Sequence, residues 1–292
     1  MLHLPDITVC AVDCVTPTLA AVALDHSLSQ CRFGRALLLS DTPADTRAEW
    51  VKIDKIGSIE AYNHFMLREL VKHVQTPYAL VIQWDGFVID PHAWHAEFLE
   101  YDYIGAHWHW FPSGSDIGNG GFSLRSRRLL HAMTAPGFEH VKGAEDVVIC
   151  RHNRAYLEES HGIRFAPIDV ANRFSYERAD PKGRTFGFHG LFNAWRHMGD
   201  QQVLNVIETL SPKACLRRDF IELQVAYLKL RKFQMVASMY RKMKQAGGQE
   251  AVLAAYQRVM RDPKGPATLV KLGEDLTRID DMAQAERLPL AA

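Results

Sequence analysis

Tyr78-Ala79-Leu80-Val81-Ile82-Gln83-Trp84-Asp85-Gly86-Phe87 is the stretch on which the fold turns. Tyr78 to Trp84 is too short for an ordinary helix, is rich in apolar and β-branched residues, and stops at an Asp-Gly pair, so it reads as a strand buried on both faces. Upstream, Ser58 to Val74 carries helical periodicity that Ser58 can cap, and Trp50 to Ile53 alternates like a strand. Arg35 to Leu39 is a further strand ending at Ser40-Asp41, Ala20 to Cys31 has helical spacing through Leu24, Leu28 and Cys31, and Ile7 to Val12 is a β-branched run ending at Asp13. The order β-α-β-β-α-β predicts a mainly parallel sheet between helices, whose ligands bind beyond the carboxyl ends of the strands. Asp13, Asp41 and Asp85 would all stand at that edge.

From about residue 201 the strand signals fade. Phe220 to Ala246 is helical with a break near Leu230-Arg231-Lys232-Phe233, and Leu223, Tyr227, Leu230, Phe233, Val236, Tyr240 and Met243 fall near the spacing of one tetratricopeptide-type hairpin, with further helices at Ala251 to Arg261 and Pro266 to Ile279. The expectation is an α/β domain over 1–200, with a Rossmann-type mixed sheet flanked by helices, and a C-terminal all-α helical appendage over 201–292. A helical lid on the same core is the plainer alternative to a repeat.

The 292 residues are 47% hydrophobic, enough for one large core or two unequal ones. Lys plus Arg equals Asp plus Glu at 34 each, so no global field favours nucleic acid or an anionic membrane. Five cysteines, Cys10, Cys14, Cys31, Cys150 and Cys215, lie mostly in apolar runs without a Cys-x-x-Cys pair, which suits buried thiols in a reducing compartment. With no leader-like start and no long apolar span, a cytoplasmic protein without a transmembrane segment is expected.

Four segments carry chemistry. An aspartate ending a buried strand has a fixed carboxylate, suited to a divalent cation that bridges a diphosphate; equally, Asp85 can open a turn with Gly86. Asp90 reads as a cap for a helix containing Trp94 and Phe98. In Gly118-Asn119-Gly120-Gly121, consecutive glycines let the backbone approach a ligand and Asn119 can face sugar hydroxyls, with a tight hairpin as the alternative. The order is neither a dinucleotide fingerprint nor a phosphate loop. Glu145-Asp146 opens an apolar helix, where carboxylates serve as good capping or as a general base. His189, inside Phe186-Gly187-Phe188-His189-Gly190, suits a metal ligand or a diphosphate contact. His107 and His109 are a rival metal pair if 107–110 is a strand, but lack a third ligand. Trp108, Trp110 and Phe111 would form a platform for an acceptor sugar or pack in the core.

Gln-Trp-Asp-Gly-Phe, Gly-Asn-Gly-Gly-Phe-Ser-Leu-Arg, Glu-Asp-Val-Val-Ile-Cys and Phe-Gly-Phe-His-Gly together make residues from about 8 to 195 resemble a bacterial family of uncharacterised domains predicted to be glycosyltransferases of the GT-A type. The resemblance implies a nucleotide-binding half fused to an acceptor-binding half and transfer of a sugar from an activated donor. By looser analogy with inverting galactosyltransferases of that fold, Asp85 stands at the end of the Asp-x-Asp strand, His189 matches a late metal ligand, and Glu145-Asp146 resembles the Gly-Gly-Glu-Asp segment that holds the acceptor and supplies the base. Trp84-Asp85-Gly86 has no second carboxylate two residues away, and Gly143-Ala144 replaces the paired glycines.

The resulting expectation is an inverting glycosyltransferase with a nucleotide-sugar donor, a glycan or glycoconjugate acceptor and Mn2+ or Mg2+ as cofactor. Asp146 would be the base and Glu145 its catalytic neighbour. Asp13, Ser58, Tyr62, Asn63, Trp84 and Asp85 would hold the donor, Asn119, Gly120, Gly121, Trp108 and Trp110 the sugar or acceptor, and Asp85 and His189 the metal. The helical tail would recruit a protein partner or polymeric acceptor. A non-catalytic sugar- or nucleotide-binding scaffold, and a metal-dependent hydrolase using His107, His109 and Asp85, are the alternatives.

Overall fold

The computed structural model describes residues 1–111, 116–259 and 266–285. The chain divides into two compact units, Met1–Gly190 and Leu191–Ala292.

In the first unit β1 (Leu2–Val12), α1 (Pro17–Gln30), β2 (Cys31–Ser40), β3 (Glu49–Lys52), α2 (Ile59–His64) and β4 (Tyr78–Ile82) follow one another in the expected order, with β1 starting five residues before the expected Ile7. They are followed by β5 (Tyr103–Ile104), β6 (Ala106–His107), β7 (Ile117–Gly118), β8 (Phe122–Ser126), α3 (Arg127–Ala132), α4 (Glu145–Val147), α5 (Arg154–His161), α6 (Ile168–Phe174), β9 (Ser175–Tyr176) and β10 (Gly187–Phe188). A six-stranded mixed sheet has the order β3-β2-β1-β4-β8-β5. β3, β2, β1 and β4 run parallel, whereas β8 runs antiparallel to both β4 and β5. Val9, Cys10, Ala11, Leu37, Leu38, Leu39, Leu80 and Val81 in the central strands are all buried, as expected for strands covered on both faces.

Three local readings need correction. Ser58 accepts a bond from Ala61 N, but the helix it caps is regular only to His64 and continues as a π-turn (Phe65–Glu69) and a 3-10 turn (Leu70–Lys72). Asp90 caps, through His92 N, a 3-10 turn over Pro91–Ala93, and Phe98 lies in a separate 3-10 turn over Ala96–Glu100, so Trp94 and Phe98 share no helix. The strand at 107–110 ends at His107, and His109 and Trp110 occupy a turn.

The second unit holds α7 (Ala194–His197), α8 (Asp200–Thr209), α9 (Arg218–Lys229), α10 (Phe233–Lys244), α11 (Gly248–Val259) and α12 (Pro266–Ala285). The end of the helix expected at Arg261 lies outside the described residues. α9 and α10 part at Arg231, which takes a positive φ of 57°. Leu223, Tyr227, Val236, Tyr240 and Met243 of the expected apolar stripe are buried, but Leu230 and Phe233, beside the break, are exposed. Gln224 joins three helices: its Nε2 donates to Val236 O at 3.0 Å and its Oε1 accepts from Tyr256 OH at 2.6 Å. Among the described residues no helix is long and apolar enough to cross a membrane.

Candidate active site

The antiparallel turn of β8 builds the site. Because Ile82 pairs with Phe122, the residues just before β8, Asn119 to Gly121, arrive beside Gln83 to Asp85, which follow β4. Gln83 N donates to Gly121 O at 2.9 Å. On the far side, Gly187 bridges Val88 and Gly190 N donates to Asp85 O at 3.0 Å, which brings the Phe186–Gly190 segment to the same edge. Three of the four motifs therefore meet there, and α4 supplies the fourth.

Asn119 is the pivot. It is buried and takes a positive φ of 73°, a conformation Asn tolerates better than most residues. Its Oδ1 accepts from Gly121 N at 2.9 Å and Phe122 N at 3.2 Å, and its Nδ2 lies 3.2 Å from His189 Nδ1. Its amide, expected to face a sugar, thus holds the loop and the histidine. The glycines admit the protein's own side chains: a Cβ on Gly120 would meet Glu145 Oε1 at 2.0 Å, and one on Gly121 would meet His189 Nε2 at 2.1 Å.

The two carboxylates of α4 part company. Glu145 is buried and its Oε1 lies 2.7 Å from Nη2 of Arg125, itself fully buried on β8. Arg125 also donates from Nε to Ser123 Oγ at 3.0 Å. Asp146 Oδ2 accepts from Gly120 N at 3.0 Å and Oδ1 from Val147 N at 2.8 Å, and the residue stays partly exposed. Burial, then the negative charge of Glu145, pushes the Asp146 carboxyl up to about 6, a value suited to taking a proton near neutral pH.

His189 lies between two acids. Its Nε2 is 3.3 Å from Asp85 Oδ1 and 3.2 Å from Gln83 Oε1; its Nδ1 is 3.5 Å from Glu177 Oε1. Burial opposes the charged ring, but Asp85 and then Glu177 outweigh it and hold His189 well above the ordinary histidine range. A metal at Nε2 would therefore displace a proton. Asp85 and His189 offer two converging donors, and among the described residues no group of three or more His, Cys, Asp or Glu could hold a metal ion. A cation held by these two donors alone would have to complete its shell with substrate phosphate and water.

The other expected residues fall as follows. Tyr62 OH accepts from Gln83 Nε2 at 3.1 Å, and Asn63 Nδ2 donates to Gly143 O, so the α2 segment touches both the β4 end and the loop before α4. Asp13 lies at the end of β1, where its carboxylate accepts from Val15 N, Thr16 N and Thr16 Oγ1 ahead of α1. Ser58 is taken up by its cap, and Trp84 is half-buried. Trp108 is buried with its ring where a Cβ on Gly118 would stand, at 2.0 Å. Trp110 is 46% exposed and edge-on to His109. The His107 and His109 ring centroids are 6.5 Å apart. Arg125, Gln83 and Glu177 were not singled out by sequence reasoning; in Phe122-Ser123-Leu124-Arg125-Ser126 the arginine falls on the polar alternation of a strand and gave no signal that it is buried.

Residues 46–189, just under half of the chain, match a family described as a protein of unknown function, DUF5672. No curated protein matches the chain. Solved structures similar to it include the apo-form glycosyltransferase GlyE of Streptococcus pneumoniae TIGR4, at 12% identity over 62% of this chain and 53% of that chain, with a TM-score of 0.39. A second is a glycosyltransferase involved in the glycosylation of the major capsid of PBCV-1, at 12% identity over 63% of this chain and 91% of that one, TM-score 0.40. A third is TarS 1–349 of S. aureus, at 11% identity over 95% and 88%, TM-score 0.38. The chain spans about half the length of the GlyE structure.

Proposed function

We propose that the protein is a glycosyltransferase that moves a sugar from a nucleotide-sugar donor to a hydroxyl of a glycan or glycoconjugate, with inversion and with Asp146 as base. The observation that carries this reading is the Asp146 carboxylate, anchored by Gly120 N, partly exposed and raised to about 6, at the same sheet edge as Asp85 and His189. The likeness of the four motifs to domains predicted to be GT-A glycosyltransferases supports it.

In this reading Asp146 takes the proton of the acceptor hydroxyl as that oxygen bonds to the anomeric carbon. The bond from that carbon to the diphosphate breaks and its electron pair leaves with the nucleoside diphosphate. Asp85 and His189 would hold the divalent cation, which when bound supplies Lewis-acid neutralisation of diphosphate charge. Glu145, tied to Arg125, positions the Gly120 amide and through it Asp146. Tyr62 and Asn63 place the α2 segment against both halves of the site, where the donor nucleotide is expected, and Trp110 offers the exposed ring for an acceptor sugar. The helical unit is the place for a protein partner or polymeric acceptor.

A thermal-shift screen against nucleotide-diphosphate sugars, with and without Mn2+, tests the reading. A donor at about a hundred times its Kd stabilises the fold by roughly 2.7 kcal/mol. A metal-dependent shift with one nucleotide class is expected; no shift with any donor would favour the scaffold alternative.

A further inference from the structure

We propose that the turn between α9 and α10, Lys229-Leu230-Arg231-Lys232-Phe233, docks the protein on an anionic membrane surface, with Leu230 and Phe233 entering the headgroup region and the cations lying on lipid phosphates. Such docking concerns where the protein sits and does not depend on sugar transfer.

The turn closes α9 with a left-handed helix cap whose occupants are unusual. Arg231 N donates to Leu228 O and Lys232 N to Tyr227 O, each at 3.0 Å, the pair of bonds that defines such a cap. Its left-handed position ordinarily goes to glycine, yet here Arg231 holds φ at 57°. The next position frequently packs an apolar side chain back on the helix; here it is Lys232, whose Nζ lies 2.7 Å from Asp200 Oδ1. Cations thus stand at both positions where the cap itself favours a small or an apolar residue, so local folding does not account for them.

The apolar residues are equally out of place. In the apolar stripe of the hairpin Leu223, Tyr227, Val236, Tyr240 and Met243 are buried, whereas Leu230 and Phe233 are 43% and 49% exposed. All five residues from Lys229 to Phe233 are exposed. Asp200 answers Lys232, but among the described residues no carboxylate stands within ion-pair distance of Lys229 or Arg231. The whole chain balances 34 cations against 34 anions, so attraction to an anionic surface has to come from a local cluster of this kind. Leu and Phe are residues that interfacial segments bury, while Lys and Arg lay their stems along the apolar boundary and keep their charged heads in water. A second copy of the turn is a poor occupant, because a two-fold contact would set the same cations against one another.

The test is cosedimentation of the full chain with vesicles of phosphatidylcholine alone, and of phosphatidylcholine and phosphatidylglycerol in equal parts, at low and high salt. Wild type is compared with K229Q/R231Q, L230S/F233S and the control K213Q/R217Q. Lys213 and Arg217 are also exposed, but they precede α9, so its 12 residues separate them from the turn. Unfolding midpoints identify any variant that fails to fold. Wild type is expected on the anionic vesicles only, and more weakly at high salt. K229Q/R231Q should weaken that binding by about 25-fold, from about 5-fold per cation, and L230S/F233S by at least about 10-fold. The control should change it by less than about twofold. An equal loss in the control, or full affinity in folded L230S/F233S or K229Q/R231Q, would reduce the binding to unspecific attraction and overturn the proposal. Wild type that binds no vesicle would also overturn it; if that protein elutes as a dimer which L230S/F233S splits, the turn is instead an interface between copies.

Discussion

Arg125 Nη2 and Glu145 Oε1 lie 2.7 Å apart beneath the Gly120 turn, with side chains 0% and 6% exposed. Removing one partner strands a charge where water cannot reach it. Glu145→Ala should destabilise the first unit by about 3–5 kcal/mol, whereas the paired replacement Arg125→Met/Glu145→Leu should cost clearly less, because apolar side chains of similar volume leave no uncompensated charge. Urea unfolding of the two variants checks this; equal losses would show that the pair acts by shape alone.

Asp146 is predicted to show its environment in pH profiles. With its carboxyl at about 6, kcat/KM should fall as pH drops through that value, and Asp146→Asn should lower turnover by at least about a hundredfold. The stability effect has the opposite sign to that of an ordinary ion-paired carboxylate. The folded pKa lies above the unfolded one, so between roughly pH 4 and 6 the native state holds the proton that the unfolded chain releases, and this residue's contribution to stability declines as pH rises. Asp146→Asn should therefore be at least as stable as wild type at pH 8. An inactive variant that is also less stable at pH 8 would mark a structural role.

How much of this was legible in the sequence depends on the kind of contact involved. Strands β1, β2 and β4 and the edge they share follow from local patterns, since the apolar ends of these runs are buried where they stand, β3 lies largely exposed, and Asp13 and Asp85 do follow β1 and β4. The convergence of Asn119, Asp146 and His189 does not follow from them. It depends on β8 running against β4, with Ile82 opposite Phe122, a pairing that no periodicity within either run specifies. The roles of Asn119 and Glu145 shifted for a related reason. Both were read as facing a ligand, but a buried arginine and a histidine from distant segments take up their polar atoms. The 107–110 alternation misled because Trp108 packs inward on Gly118 while the chain turns at His109.

Gly121 should be nearly irreplaceable. An added Cβ would sit 2.1 Å from His189 Nε2, so Gly121→Ala must push the ring away from Asp85. A cost of about 1–3 kcal/mol is expected for the overpacking, with loss of Mn2+ binding. Gly57→Ala, where nothing lies within 4 Å of the new atom, is the control and should alter neither. If Gly121→Ala retained wild-type Mn2+ affinity, His189 would not be a ligand.

Trp108 and Trp110, two residues apart, differ sharply in burial. Trp108 is 3% exposed, and its ring fills the space that the missing side chain of Gly118 leaves open. Trp108→Ala should therefore cost about 3–5 kcal/mol of stability, the range for truncating a buried aromatic. Trp110 is 46% exposed, with its ring centroid 6.3 Å from that of Trp108 and 6.0 Å from that of Phe111. Trp110→Ala should leave the unfolding midpoint almost unchanged. If a sugar ring of the acceptor stacks on Trp110, the loss of about 0.5–1.5 kcal/mol of aromatic contact would appear as a roughly 2- to 12-fold rise in acceptor KM, with donor KM and kcat held. Steady-state kinetics with acceptor and donor varied separately distinguishes the outcomes: an unchanged acceptor KM removes Trp110 from the site, and a rise in donor KM moves its surface to the nucleotide sugar.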